Sequence, residues 1–198
     1  MKPQRNFHFE QVEYIQYFGS STPEVLFYLP TPALIPHQWR PQAPDALEQL
    51  IHLNGNHWRK IINIICKIVC HNPNSWREIK PVLLQQSPNT HKSVAIVVVD
   101  AENLTKVSFT PQTQHIVCSK KLHELLTNLT DKIDSIEKYS IEELVFNQRH
   151  KIQLHPPVYF TPYLDYRQFP NGLIDLLRKQ LHPDVAKSDP RQQALGMT

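Results

Sequence analysis

Ser93-Val94-Ala95-Ile96-Val97-Val98-Val99 runs into Asp100-Ala101-Glu102-Asn103, then into Thr105-Lys106-Val107-Ser108-Phe109-Thr110 and His115-Ile116-Val117-Cys118. The first stretch is the clearest strand in the chain. It is apolar at every position from Val94 on, so both of its faces call for cover, as those of an interior strand do. The two later stretches have strand chemistry too, and with a polar turn over 100–103 the three together read as a meander. From Ser119 the apolar spacing becomes helical: Leu122, Leu125, Leu126, Leu129, Ile133 and Ile136 line one face of a helix reaching about residue 138.

Upstream, residues 7–18 and 24–29 are aromatic and β-branched on either side of Gly19-Ser20-Ser21-Thr22-Pro23, which predicts a β-hairpin. Pro30, Pro32, Pro36, Pro41 and Pro44 then forbid a central strand or a helix, so 30–44 is an extended connector anchored by Leu34, Ile35 and Trp39. Asp45 opens a helix that Asn54-Gly55 closes, and Asn56 opens another to about Cys70. In the second helix Arg59, Lys60, Asn63 and Lys67 make one narrow polar stripe, and apolar residues cover the rest, which marks it as the centre of the core. Trp76 to Gln86 reads as a further helical piece, kinked at Pro81.

Downstream, Ser140-Ile141-Glu142-Glu143 has the form of a capping box for a short helix to about Asn147. A strip rich in Pro and Tyr follows over 155–170, then a helix from Gly172 to Leu181, and a polar tail over 184–198. The expected fold is one α+β domain over residues 1–183, with antiparallel hairpin and meander elements packed against several amphipathic helices. Its first thirty residues could stand as a semi-independent layer.

Composition narrows the function. Among 198 residues there are 4 Gly, too scattered to write a phosphate-cradling loop, which argues against P-loop and ordinary dinucleotide-binding enzymes. A net charge of +3, carried by the first half, is no footprint for tight nucleic-acid binding. The start of the chain has no secretory pattern and Ile61–Val69 is too short and too interrupted to span a bilayer, so a cytoplasmic protein without membrane insertion is expected. The 3 Cys stand at no disulfide spacing, as reduced thiols would.

Three local patterns invite chemistry. Cys66, Cys70 and His71 sit one helical turn apart and adjacent, a metal-ligand spacing, but in so apolar a helix a cysteine is first of all a small core residue. Cys118 stands three residues from His115 and five from His123, a nucleophile and base only if the fold joins them. Val97-Val98-Val99-Asp100-Ala101-Glu102-Asn103 delivers two carboxylates and an amide at the end of an apolar strand. This string resembles the opening strand of metal-dependent nucleases of the NYN and PIN type, a resemblance that implies Mg²⁺ chemistry by Asp100, Glu102 and Asn103. A polar turn between antiparallel strands accounts for the same residues without catalysis, and is the preferred expectation.

No cofactor is called for. The expected function is therefore a non-enzymatic adaptor, chaperone-like or accessory subunit of a larger protein assembly, of the kind a bacterial secretion or conjugation machine would use. Its partner, another protein subunit, would be bound through Tyr159, Phe160, Tyr163, Tyr166 and Phe169 of the strip and Leu122, Leu126 and Leu129 of the amphipathic helix. A metal-dependent nuclease or hydrolase is the alternative, and a weak nucleic-acid-binding module the third.

Overall fold

A computed structural model of the chain describes residues 14–85, 90–100, 109–130 and 142–183. In chain order they form β1 (Tyr14–Gly19), β2 (Val25–Leu29), α1 (Ala46–Val69), β3 (Val94–Val99), β4 (Gln114–Cys118), α2 (Lys120–Thr130), β5 (Glu142–Asn147), β6 (His150–His155), β7 (Val158–Thr161) and α3 (Asn171–Leu181). The strands make one mixed sheet of seven, ordered β1-β3-β2-β4-β7-β6-β5.

That order overturns the expected α+β hairpin and meander. β1 and β2 do not pair with each other, because β3 lies between them, antiparallel to β1 and parallel to β2. β3 and β4 are not neighbours either, since β2 separates them, and β3, β2, β4 and β7 all run parallel. Antiparallel pairing is confined to β1 at one edge and to β6 and β5 at the other.

The physical reason lies in where the apolar side chains point. All five residues of β2 and all six of β3 are buried, so neither face of the central sheet can meet water. Val25, Phe27, Leu29, Val94, Ile96 and Val98 face a core shared with α1 and α3. Leu26, Tyr28, Ala95, Val97 and Val99 face the opposite way, with Leu122 and Leu126 of α2. Helices on both faces need crossover connections, and a crossover returns the chain to the same end of the sheet, which makes the strands parallel.

Local readings differ in their outcome. The two helices around Gly55 are both there, fused into α1 across Gly55 at φ 69° and ψ −153°, a backbone conformation open almost only to glycine. The apolar second half, from Trp58 to Val69, lies in the core as its composition requires. Trp76 to Gln86 is not a helix: over its described residues it is a string of turns with one 3-10 turn at Lys80–Val82. Glu142–Asn147 is a strand, paired with β6, and not a capped helix. The expected strand over 105–110 falls mostly outside the described residues, as do the end of the 119–138 helix and the polar tail.

Gly19 closes β1 at φ 115°. A Cβ there would collide with the Val94 carbonyl oxygen, the same oxygen that accepts the Ser20 N–H at 2.9 Å. Gly19→Ala is expected to destabilise by roughly 1–3 kcal/mol from its backbone conformation alone, with the backbone collision adding to it. Denaturant unfolding of this variant checks the register of β1 on β3, and a neutral result contradicts it.

Candidate functional site

In an open parallel sheet, ligands sit beyond the carboxyl ends of the strands, where successive connections leave for opposite faces. Here that point lies between β2, whose chain leaves toward α1, and β4, whose chain leaves toward α2. Thr31 follows β2, Asp100 follows β3, Ser119 follows β4 and Tyr163 follows β7, so four separate connections bring polar groups to one edge.

Tyr163 is the hub. Its Oη lies 3.2 Å from Thr31 Oγ1 and 2.7 Å from His57 Nε2, and its ring stacks on the His57 ring with centroids 5.6 Å apart. His57 stands at the start of the second half of α1, just past the Gly55 break. Burial holds the phenol above its ordinary pKa, so it stays protonated and can pass a hydrogen bond along the Thr31–Tyr163–His57 chain. Two residues on, Asp165 Oδ2 meets Lys60 Nζ at 2.6 Å, and its other oxygen accepts the Arg167 backbone N–H at 3.0 Å. The Lys60 ammonium, first of all, holds the Asp165 carboxyl down at about 2. Asp100 is half-buried at the end of β3, and Ser119 Oγ accepts the Leu122 N–H at 3.1 Å, capping α2.

The polar stripe of α1 is thus a seam. Besides Lys60, Lys67 bonds Asn171 Oδ1 at 2.9 Å, and its ammonium lies 4.6 Å from the Tyr166 ring and 5.1 Å from that of Trp76. The strip rich in Pro and Tyr lies over this seam. Tyr159 and Phe169 are buried in the domain's own core, Phe160 stacks on His123 of α2 at 4.2 Å, and Tyr163 and Tyr166 are half-buried against α1. Leu122 and Leu126 pack on the second face of the sheet. Glu102, Asn103 and the side chain of Leu129 lie outside the described residues.

The cysteines are all free thiols with no exposed surface. Burial pushes Cys118 up to about 12 and raises Cys66 and Cys70 as well, so none is a thiolate near neutrality. Cys118 belongs to the core under α1, whereas the His115 ring lies with Tyr28 and Phe109 on the opposite face, so the sheet keeps that pair apart. Cys66 and Cys70 point into the α1 core, and the His71 ring meets His182 at 5.1 Å. Among the described residues no group of three His, Cys, Asp or Glu is placed to hold a metal ion.

Thr31, His57, Lys60 and Asp165 carried no signal in the sequence, because nothing local says that the end of β7 returns beside the ends of β4 and β2. The same holds for a pair of side-chain clamps on the Pro-rich connector. Gln16 from β1 bonds both the N–H and the carbonyl of Ala33, at 2.8 and 2.7 Å, and Asn54 from α1 does the same for Leu34, at 2.7 and 2.8 Å. Trp39 is an anchor, as expected, with its indole on Phe18 and its N–H on the Ala46 carbonyl. Leu34 and Ile35 are not: they point outward, 66% and 42% exposed.

Buried imidazoles give the structure a pH dependence with a definite sign. His115 takes a hydrogen bond from the Tyr28 hydroxyl at Nδ1, 2.7 Å, and gives one from Nε2 to the Thr110 carbonyl, 3.0 Å, an arrangement only the neutral ring can make. Burial lowers it to about 4, and burial, then the neighbouring His71, lowers His182 to about 4. A folded pKa below the unfolded 6.5 costs nothing above that pH and costs stability as pH falls from there toward 4. The loss is expected to reach about 3 kcal/mol for each ring near pH 4. Denaturant titrations across this window check it, with His182→Phe expected to lose its share of the slope; a flat profile contradicts the burial of both rings.

No curated protein and no solved structure is significantly similar to the chain. A model described as a family of unknown function, DUF6942, matches residues 16–182, from inside β1 to just past α3, and so takes in the whole sheet and both helical layers. Covering most of the 198 residues, that match makes the chain a member of this family.

Proposed function

We propose that the protein is a non-enzymatic, cytoplasmic accessory subunit that binds another protein through an apolar patch formed by Leu34, Ile35 and Leu53. The observation that carries this reading is the double clamp. A loop left to itself turns its large apolar residues inward or lets them move, but here two carboxamides fix the backbone of Ala33 and Leu34 while Leu34 and Ile35 stay out in water. Leu53, next to the Asn54 clamp, is itself 45% exposed. A rigid apolar group at the surface binds with little ordering entropy, which is how interface anchors work. The three free thiols suit a reducing compartment. The half-buried rings of the Pro/Tyr strip add edge contacts at most, since Tyr159 and Phe169 serve the protein's own core.

Leu34→Ser combined with Ile35→Ser is expected to leave the melting temperature within a few degrees of the parent, because neither side chain is buried. The same variant is expected to weaken capture of a stoichiometric partner from native cells by at least tenfold. Capture that the double variant leaves intact, or no stoichiometric partner at all, overturns the reading.

One observation favours a second reading, a metal-dependent nuclease or hydrolase. Asp100 does not sit in a turn joining paired strands, because both sides of β3 are taken, by β1 and by β2; it sits at the carboxyl end of a central parallel strand beside the switch point. Purified protein should then cleave single-stranded nucleic acid only with Mg²⁺, and Asp100→Asn should abolish it. No metal-dependent cleavage by the parent protein removes this reading.

A further inference from the structure

The sheet ends at β5, and among the described residues no strand pairs with the outer edge of β5. A bare edge offers a row of backbone donors and acceptors to another strand. β5 also carries apolar side chains in its middle: Val145 is 56% and Phe146 47% exposed. Phe146 is skipped by the ladder to β6, which slips between Val145 and Asn147, and its ring lies on Gly172 at the start of α3. Charge is segregated along the strand, with Glu142 and Glu143 at its beginning and Arg149, His150 and Lys151 just after its end.

The geometry points to a symmetric dimer in which two copies of this chain pair antiparallel through β5, about a two-fold axis at Val145. Directly opposed residues in an antiparallel pair share a face. Centring the axis on Val145 sets that side chain against its own copy on one face. On the other face it sets Leu144 against Phe146 of the second copy, which extends the apolar layer under α3. The same register brings Glu142 and Glu143 beside Asn147, Gln148 and Arg149 of the second copy. Parallel pairing would instead stack Glu142 and Glu143 on themselves, which costs stability. Lys151 is already engaged within the hairpin, 2.7 Å from Glu143, so Arg149, in the turn one residue past the position opposite Glu142, is the cation left to balance the acidic start of the second copy. This surface lies at the opposite end of the sheet from Leu34 and Ile35, and the inference stands independently of the partner proposed above.

Light scattering on the full chain, from low micromolar to about a hundred micromolar, is expected to show twice the monomer mass, with the dimer weakened by added salt. Val145→Lys puts two ammonium groups on the axis at an exposed position and should give a folded monomer, with unchanged circular dichroism. Arg149→Glu should weaken the dimer at least tenfold, and Glu142→Arg added to it should restore it, a rescue that a merely structural role for either residue does not produce. Leu34→Ser with Ile35→Ser should leave the dimer intact. A parent chain that is monomeric throughout, or a dimer that Val145→Lys leaves unchanged, overturns the proposal.

Discussion

Two strands that are apolar on both sides dictate the rest of this molecule. Every residue of Val25–Leu29 and Val94–Val99 is buried, so the centre of the sheet must be covered twice. One turn-connected meander with helices on one side cannot do that. A helix laid over each face can, and the crossovers it needs align β3, β2, β4 and β7 in one direction. The position of the polar groups follows, since parallel strands collect their connections at one edge. Thr31, Asp100, Ser119 and Tyr163 all emerge at that edge because each follows the carboxyl end of a parallel strand.

The period of the side chains was legible, and the partner of each strand was not. The stretch from Val94 to Val99 declares its need for two covers in its own letters, and the apolar circumference from Trp58 to Val69 declares a buried helix. Nothing in β1, β2 or β3 says that the third slips between the first two, since a register depends on pairs of residues about 70 or more positions apart, such as Phe27 and Ile96. Ser140-Ile141-Glu142-Glu143 fits a capping box, yet Leu144, Val145 and Phe146 suit a pleated surface as well, and the Asn147 carboxamide bonding the Arg149 and His150 N–H groups settles the segment as a hairpin. Aromatic density in the strip was visible, and so was the polar stripe with Lys60 and Lys67; that Asp165 and Asn171 would fasten the one to the other was not, because nothing in a stripe's spacing says which distant segment meets it.

That seam shows how this chain uses polar residues. The stripe on α1 could have faced water. Instead Lys60 and Lys67 receive the 163–171 segment through a carboxylate, a carboxamide and the Tyr166 ring, and Lys67 also lies against Trp76. Such partly exposed pairs add little stability one by one. Their effect is positional: they fix Tyr163 over His57 and Thr31. Gln16 and Asn54 act alike on the other side, where two carboxamides supply the backbone bonds that a Pro-rich segment cannot get from a strand. In both places irregular chain is held as firmly as an element, at the expense of no apolar burial.

The two ends of the sheet are consequently different objects. At the β1 end the clamps hold Leu34 and Ile35 out on irregular backbone, a surface with no symmetry that suits a foreign partner. At the β5 end no described strand covers the backbone, and the segregated charge suits the strand's own copy turned around. Seven strands at roughly 4.8 Å per step place these ends about 29 Å apart. Pairing at β5 therefore leaves both Leu34 patches uncovered and carries two of them on one rigid sheet. A partner presenting two matching sites would meet the second patch at a high effective concentration, so modest contact at each would suffice for tight attachment.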